Sequence, residues 1–135
     1  MKRHLLFAPV AIALYMSVPS HADERDVRPK MPVIIQDETV MEDGCGTGII
    51  VGLDPNGDGF LAVKAGPGVN YSRIDKLFNG EQIYLCQQKG DWWGIVYSKE
   101  HRQCNVNNGW PLTLPYTGPC RSGWAHRRWI KLIAG

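Results

Sequence analysis

Apolar and polar residues alternate along Phe60-Leu61-Ala62-Val63-Lys64-Ala65, and the run then meets a Gly66-Pro67-Gly68 turn. Side chains in a strand alternate faces, so Leu61 and Val63 share one side and Ala62 and Lys64 the other. Residues 46–53 are β-branched at their centre and bounded by glycines, and 81–88 alternate directly after the turn pair Asn79-Gly80. Residues 92–97, rich in aromatic and β-branched types, follow a second turn at Lys89-Gly90-Asp91. Each of these runs predicts a strand. Residues 69–77 carry too little period for a helix and read as a loop leading to a short strand. Two segments at 123–126 and 129–133, parted by a tight turn at His126-Arg127-Arg128, close the series. With 60–68 as the stretch against which the others pack, the pattern predicts an all-β fold: a small barrel of five to six strands with no helix of consequence.

Three stretches break this rhythm. Asp54-Pro55-Asn56-Gly57-Asp58-Gly59 resembles the first half of a calcium loop, but Ala65 stands where a bidentate glutamate belongs and a strand begins where a helix should. Its Asn-Gly and Asp-Gly pairs favour a hairpin connection instead. Residues 98–119 hold asparagines, glycines and prolines without sustained apolar period, and are long for a structureless loop inside a compact domain. Residues 23–43 are charged, contain Pro29 and Pro32, and have one apolar patch, Val33-Ile34-Ile35; this arm reads as a flexible lead-in or as a short strand added to an edge.

The N-terminus changes the picture of where the chain works. A basic head, Met1-Lys2-Arg3-His4, precedes an apolar run, and Ser20-His21-Ala22 places small residues at the cleavage positions. Residues 1–22 therefore read as a signal peptide, with Asp23 as the first mature residue. The run is shorter than the roughly 20 residues that a spanning helix needs, so stable membrane insertion is not expected. Removing the leader takes away two basic residues and no acid, and the formal net charge falls from +2 to about zero. That balance gives no support to nucleic-acid binding.

Four cysteines, Cys45, Cys86, Cys104 and Cys120, all follow the leader. In an exported chain of this size an even count reads as two disulfides. Three pairings are possible. Cys104–Cys120 with Cys45–Cys86 is favoured, because the former flank one insertion and the latter lie in or beside the predicted sheet. No Cys-x-x-Cys or His-x-x-x-His spacing suggests zinc, and no cofactor or metal is expected.

The strands carry further residues in a recognisable order. Leu61-x-Val63-Lys64-x-Gly66-Pro67-Gly68, Asn79-Gly80-Glu81-x-Ile83, Gly90-Asp91-Trp92-Trp93-x-x-Val96 and Gly123-Trp124-Ala125-His126-x-x-Trp129-Ile130 span 60–132. In this succession the chain resembles the bacterial Src homology 3 family of small secreted or envelope barrels. It departs from the family in the cysteine-flanked insertion before the last strand and in Asn79, where Lys or Gly is commoner. The resemblance implies a Src homology 3-like barrel domain over 44–135, and a binding module or spacer more than a catalyst.

Candidate chemistry then centres on aromatic rings. In 92–97, Trp93, Ile95 and Tyr97 share one face and Trp92, Gly94 and Val96 the other. A barrel buries one face, and by analogy with peptide-binding relatives the exposed ring is Trp92. With Tyr71, His126 and Trp129 it would line a shallow groove for a cell-wall peptide or glycan, or for an envelope protein, in the periplasm or outside the cell. The alternative is an inhibitor or immunity-type protein that blocks a periplasmic or secreted enzyme through the 98–119 loop, with Trp110 and Tyr116 as contact residues. Catalysis would need Cys86 or Cys104 beside His101 or His126, and cysteines held in disulfides are not thiolates. No enzyme activity is expected.

Overall fold

The computed structural model describes residues 9–14, 23–35, 44–107 and 113–134. Among these lie nine strands: β1 Ile34–Ile35, β2 Gly46–Ile50, β3 Leu61–Lys64, β4 Arg73–Leu77, β5 Gln82–Lys89, β6 Trp92–Tyr97, β7 Leu114–Pro115, β8 Arg121–His126 and β9 Ile130–Ala134. Single 3-10 turns at Glu24–Asp26 and Arg127–Trp129 are the only helical pieces described. The all-β expectation holds. Of residues 1–22, the expected leader, only 9–14 are described, without regular structure and with Val10, Ile12 and Leu14 exposed. No described helix is long and apolar enough to cross a membrane.

The expected closed barrel of five to six strands is replaced by two open sheets. β1 pairs with β7, and the other seven strands form one antiparallel sheet in the order β4-β3-β8-β6-β5-β2-β9. β4 and β9 are its edges. Alternation within a strand reports which side chains share a face, but not which strands meet. The 60–68 stretch accordingly loses its central place: β3 touches β8 through one register pair, Lys64 with Trp124, and β6 occupies the middle of the sheet. Residues 54–59 form a turn, with the Gly57 amide on the Asp54 carbonyl, yet not a hairpin connection. The strands on either side of it pair elsewhere, β2 with β5 and β9, β3 with β4 and β8.

Both disulfides form as favoured, Cys45–Cys86 and Cys104–Cys120, and no free cysteine remains. They fit an oxidising environment of the kind exported proteins meet.

Two apolar clusters sit on opposite sides of the sheet. The inner one holds Ile50, Leu61, Val63, Leu77, Ile83, Leu85, Ile95 and Tyr97, with Trp93, Trp129 and Ile130 at its margin. The outer one holds Val33, Ile35, Val96, Val106, Tyr116, Trp124 and all four cysteines, with Met31, Tyr84 and Trp92 at its margin. The arm 23–35 and the cysteine-pinned loop build this second cluster. The Trp124 indole donates to the Met31 carbonyl at 2.8 Å, the Tyr116 amide to Val33 at 2.8 Å, and the Ile34 amide to the buried Gln87 side chain at 2.9 Å. The apolar patch of the arm is thus a strand, laid across the outer face and paired with the loop. It does not extend an edge of the main sheet.

Candidate functional site

Trp92 opens β6, and the antiparallel register sets it opposite His126, the last residue of β8. Their rings meet edge to face with centroids 5.4 Å apart, and both residues are half-buried. The His126 Nδ1 accepts the Arg128 amide at 3.1 Å, so that nitrogen carries no hydrogen and Nε2 remains as a donor. Beside the pair, the Arg127 guanidinium contacts Asp91 at 3.0 Å and the Arg127 amide donates to the Asp91 carbonyl at 2.9 Å. These bonds fix the turn that carries His126.

The other two expected groove residues sit elsewhere. Trp129 belongs to the margin of the inner cluster, where its carbonyl accepts the Val51 amide at 2.9 Å and the Arg128 guanidinium lies 5.0 Å from its ring centre. Trp92 belongs to the margin of the outer cluster, across the sheet. Tyr71 covers the Gly66-Pro67-Gly68 turn: a Cβ added at Gly66 would stand 2.3 Å from its ring. Close approach, and not positive φ, is what requires glycine at that position.

Both faces of β6 are enclosed from Gly94 to Tyr97, and Trp92 and Trp93 are alike half-buried. The expectation of one core and one surface tryptophan fails because the arm and the loop cover the side that would otherwise face water. The loop residue Tyr116 is likewise a packing residue, 4% exposed, with its hydroxyl accepting the Cys120 amide at 3.0 Å and the Arg28 guanidinium 5.2 Å from its ring centre. Trp110 lies outside the described residues.

Two polar constellations were not legible in the sequence. The first surrounds Glu24, whose carboxylate is fully buried. It accepts the Lys99 amide at 2.6 Å and the Ser98 hydroxyl at 2.8 Å, and lies 3.5 Å from Arg102 and 3.4 Å from Arg121. Arg121 reaches on to Asp75 at 3.0 Å, and Asp75 accepts the buried Tyr97 hydroxyl at 2.6 Å. Burial pushes the Asp75 carboxyl up, but the Tyr97 hydroxyl, the Lys76 amide and the Arg121 guanidinium together hold it below the usual carboxylate range. Burial, then the bond to Asp75, raises the Tyr97 phenol far above its ordinary value. This network ties the arm, β4, β6, β8 and the loop together at one end of the sheet. A single glutamate in a charged, proline-bearing arm gives no sequence signal of burial.

The second is a cleft of about 200 Å³ between the outer face of β5 and the start of the pinned loop, lined by Gln82, Tyr84, Ser98, His101, Arg102 and Gln103. His101 holds a left-handed backbone, φ 56°. The strand pattern could indicate that Gln82 and Tyr84 share a face, but nothing in it brings the loop over them. Among the described residues no group of three or more His, Cys, Asp or Glu side chains is placed to hold a metal ion. The Asp54 carboxylate accepts the Asn56 amide of its own turn at 2.8 Å.

The chain matches no protein-family model, no curated protein and no solved structure.

Proposed function

We propose that this protein is an exported, non-enzymatic binding module of the bacterial envelope, related to the Src homology 3 family, working in the periplasm or outside the cell. The observation that carries the reading is the Trp92–His126 pair: two half-exposed rings held edge to face at the end of the central strand, with one imidazole N–H free to donate. Such a pair offers an apolar surface and a directed polar group at small entropic cost, because the ladder and the Arg127–Asp91 contacts already fix it. The fold family is supported by the succession of residues on β3 and its turn, on β5, on β6 and on β8 to β9. Exclusion of cysteine chemistry follows from the two disulfides.

The ligand is a cell-wall fragment or an envelope protein met through that surface. Trp92→Ala and His126→Ala, prepared oxidised and shown to unfold cooperatively, are compared with the unmodified protein for retention on isolated sacculi and for capture of envelope proteins. Retention or capture falls about tenfold in each variant if the pair is the contact, on the scale of aromatic anchors in other interfaces. Unchanged retention and capture in both variants remove the pair from the binding surface.

A further inference from the structure

We propose that the cleft between β5 and the pinned loop binds a neutral saccharide unit. Its polar groups divide into two sets. Ser98 is committed: its hydroxyl donates to Glu24 at 2.8 Å and accepts the amides of Glu100 and Arg102 at 3.2 and 2.9 Å. Arg102 is committed as well, 2.8 Å from Glu100 and 3.5 Å from Glu24. The Gln82 and Gln103 amides, the Tyr84 hydroxyl and the His101 imidazole make no side-chain hydrogen bond with any described residue. The free groups are therefore neutral amides and a phenol, each able to donate and accept, beside the Tyr84 ring and an imidazole.

That composition selects against ions. An anion would have to compete with two carboxylates for Arg102, and no acidic side chain lines the cleft to draw a cation. Hydroxyl groups on a ring suit it: paired amides match donor and acceptor hydroxyls, and an aromatic ring faces the C–H side of a sugar. About 200 Å³ lies below the roughly 300 Å³ at which drug-sized pockets begin, so the space fits one ring and not a long segment.

The walls are also fixed in advance. The Ser98 hydroxyl holds the loop by accepting the amides of Glu100 and Arg102, the Glu24 carboxylate accepts the Ser98 hydroxyl and the Lys99 amide, and the Cys104–Cys120 disulfide closes the loop one residue past Gln103. Within this frame His101 is kept at φ 56°, a conformation that costs energy in a non-glycine residue and recurs where a side chain must be aimed. The site goes beyond the Trp92–His126 reading, for it belongs to the insertion and needs neither ring of that pair.

The test is a solution NMR titration of the intact, oxidised protein with an N-acetylglucosamine trimer, with maltotriose and with sodium phosphate. Saturable shifts of the Gln82 and Gln103 side-chain amides are expected with at least one trisaccharide, at about millimolar affinity, and not with phosphate. The exposed pair Gln82→Ala/Gln103→Ala keeps the fold and weakens that response about tenfold or more. Trp92→Ala leaves it in place, whatever that variant does to sacculus retention. Absence of saturation with both trisaccharides, a tighter response to phosphate, an unchanged response in the double variant, or loss of the response in a folded Trp92→Ala protein would each overturn the proposal.

Discussion

The Glu24 carboxylate, shut off from solvent, accepts the Lys99 backbone amide at 2.6 Å, and so joins a residue near the start of the arm to the loop just past the end of the central strand. Through the same carboxylate run Ser98, Arg102 and Arg121. Breaking a buried ion pair from one side leaves the remaining charges and donors without partners, which is costlier than the pair is stabilising. Glu24→Ala is expected to lower unfolding stability by about 3 kcal/mol. Glu24→Gln, which keeps an acceptor for the Lys99 amide but cannot pair with the arginines, costs about half as much. Urea midpoints of the oxidised proteins measure both, and a loss below about 0.5 kcal/mol for the alanine variant would mean that the arm is held by its apolar residues alone.

The Tyr97–Asp75 bond makes stability depend on pH at both ends. Asp75 has a folded pKa below its unfolded value, so its contribution is fully present above about pH 4 and is lost as pH falls through the lowered folded value. Tyr97 has a folded pKa above its unfolded value; its contribution is present below about pH 10 and is lost as pH rises beyond that. Asp75→Asn should flatten the acid limb of a stability–pH curve, and Tyr97→Phe should reduce the slope of both limbs. In an alkaline absorbance titration the Tyr97 phenol stays protonated until the chain unfolds. A Tyr97 that ionises while the protein is still folded would contradict the geometry.

The two disulfides differ in the length of chain they close, with sequence separations of 41 for Cys45–Cys86 and 16 for Cys104–Cys120. Chain entropy alone assigns about 4 and about 3 kcal/mol to them. Both lie in the outer cluster, so alanine pairs also remove buried sulfur. Replacing either pair by alanine should lower the denaturation midpoint, with Cys45→Ala/Cys86→Ala the more damaging. The second pair has a distinct consequence. Once the loop is no longer closed, the Tyr116 amide to Val33 bond and the β1–β7 pairing lose their support, and amide exchange at Ile34 and Ile35 accelerates while that in β6 changes less.

The strands that the sequence reveals are those long enough to show a period. β6, at Trp92–Tyr97, coincides with the expected run, and β3, β5, β8 and β9 fall within a few residues of theirs. β1 and β7 have two residues each, which cannot display alternation, and one of them contains Pro115. The pairing of the cysteines was legible because two of them flank one irregular segment. Sheet order was not, since Ile49 reads the same whether its neighbour is Gln82 or a residue across a hairpin. The groove failed for a related reason. Trp129 ends a 3-10 turn and packs at the inner cluster, and Trp92 lies at the margin of the cluster on the opposite side. Only Trp92 and His126, cross-strand partners, meet as expected.

Gly66 and Tyr71 offer a direct check on the turn that carries the family resemblance. An added Cβ at Gly66 would lie 2.3 to 2.6 Å from three atoms of the Tyr71 ring, closer than any real side-chain contact. The backbone there does not need positive φ, so the conflict is with the ring and not with the turn. Gly66→Ala must expel Tyr71 from its seat, and is expected to cost about 1–3 kcal/mol, the usual range for overpacking. Tyr71→Ala alone forfeits the ring's contacts with Gly66 and Gly68 at a similar or smaller cost. Once the ring is gone, Gly66→Ala has nothing to strike. The double variant should therefore be no less stable than Tyr71→Ala, giving a coupling of about 1 kcal/mol or more in a double-mutant cycle. Additive losses would place the strain in the backbone of the turn itself, and would also release Tyr71 to serve a binding surface instead of the fold.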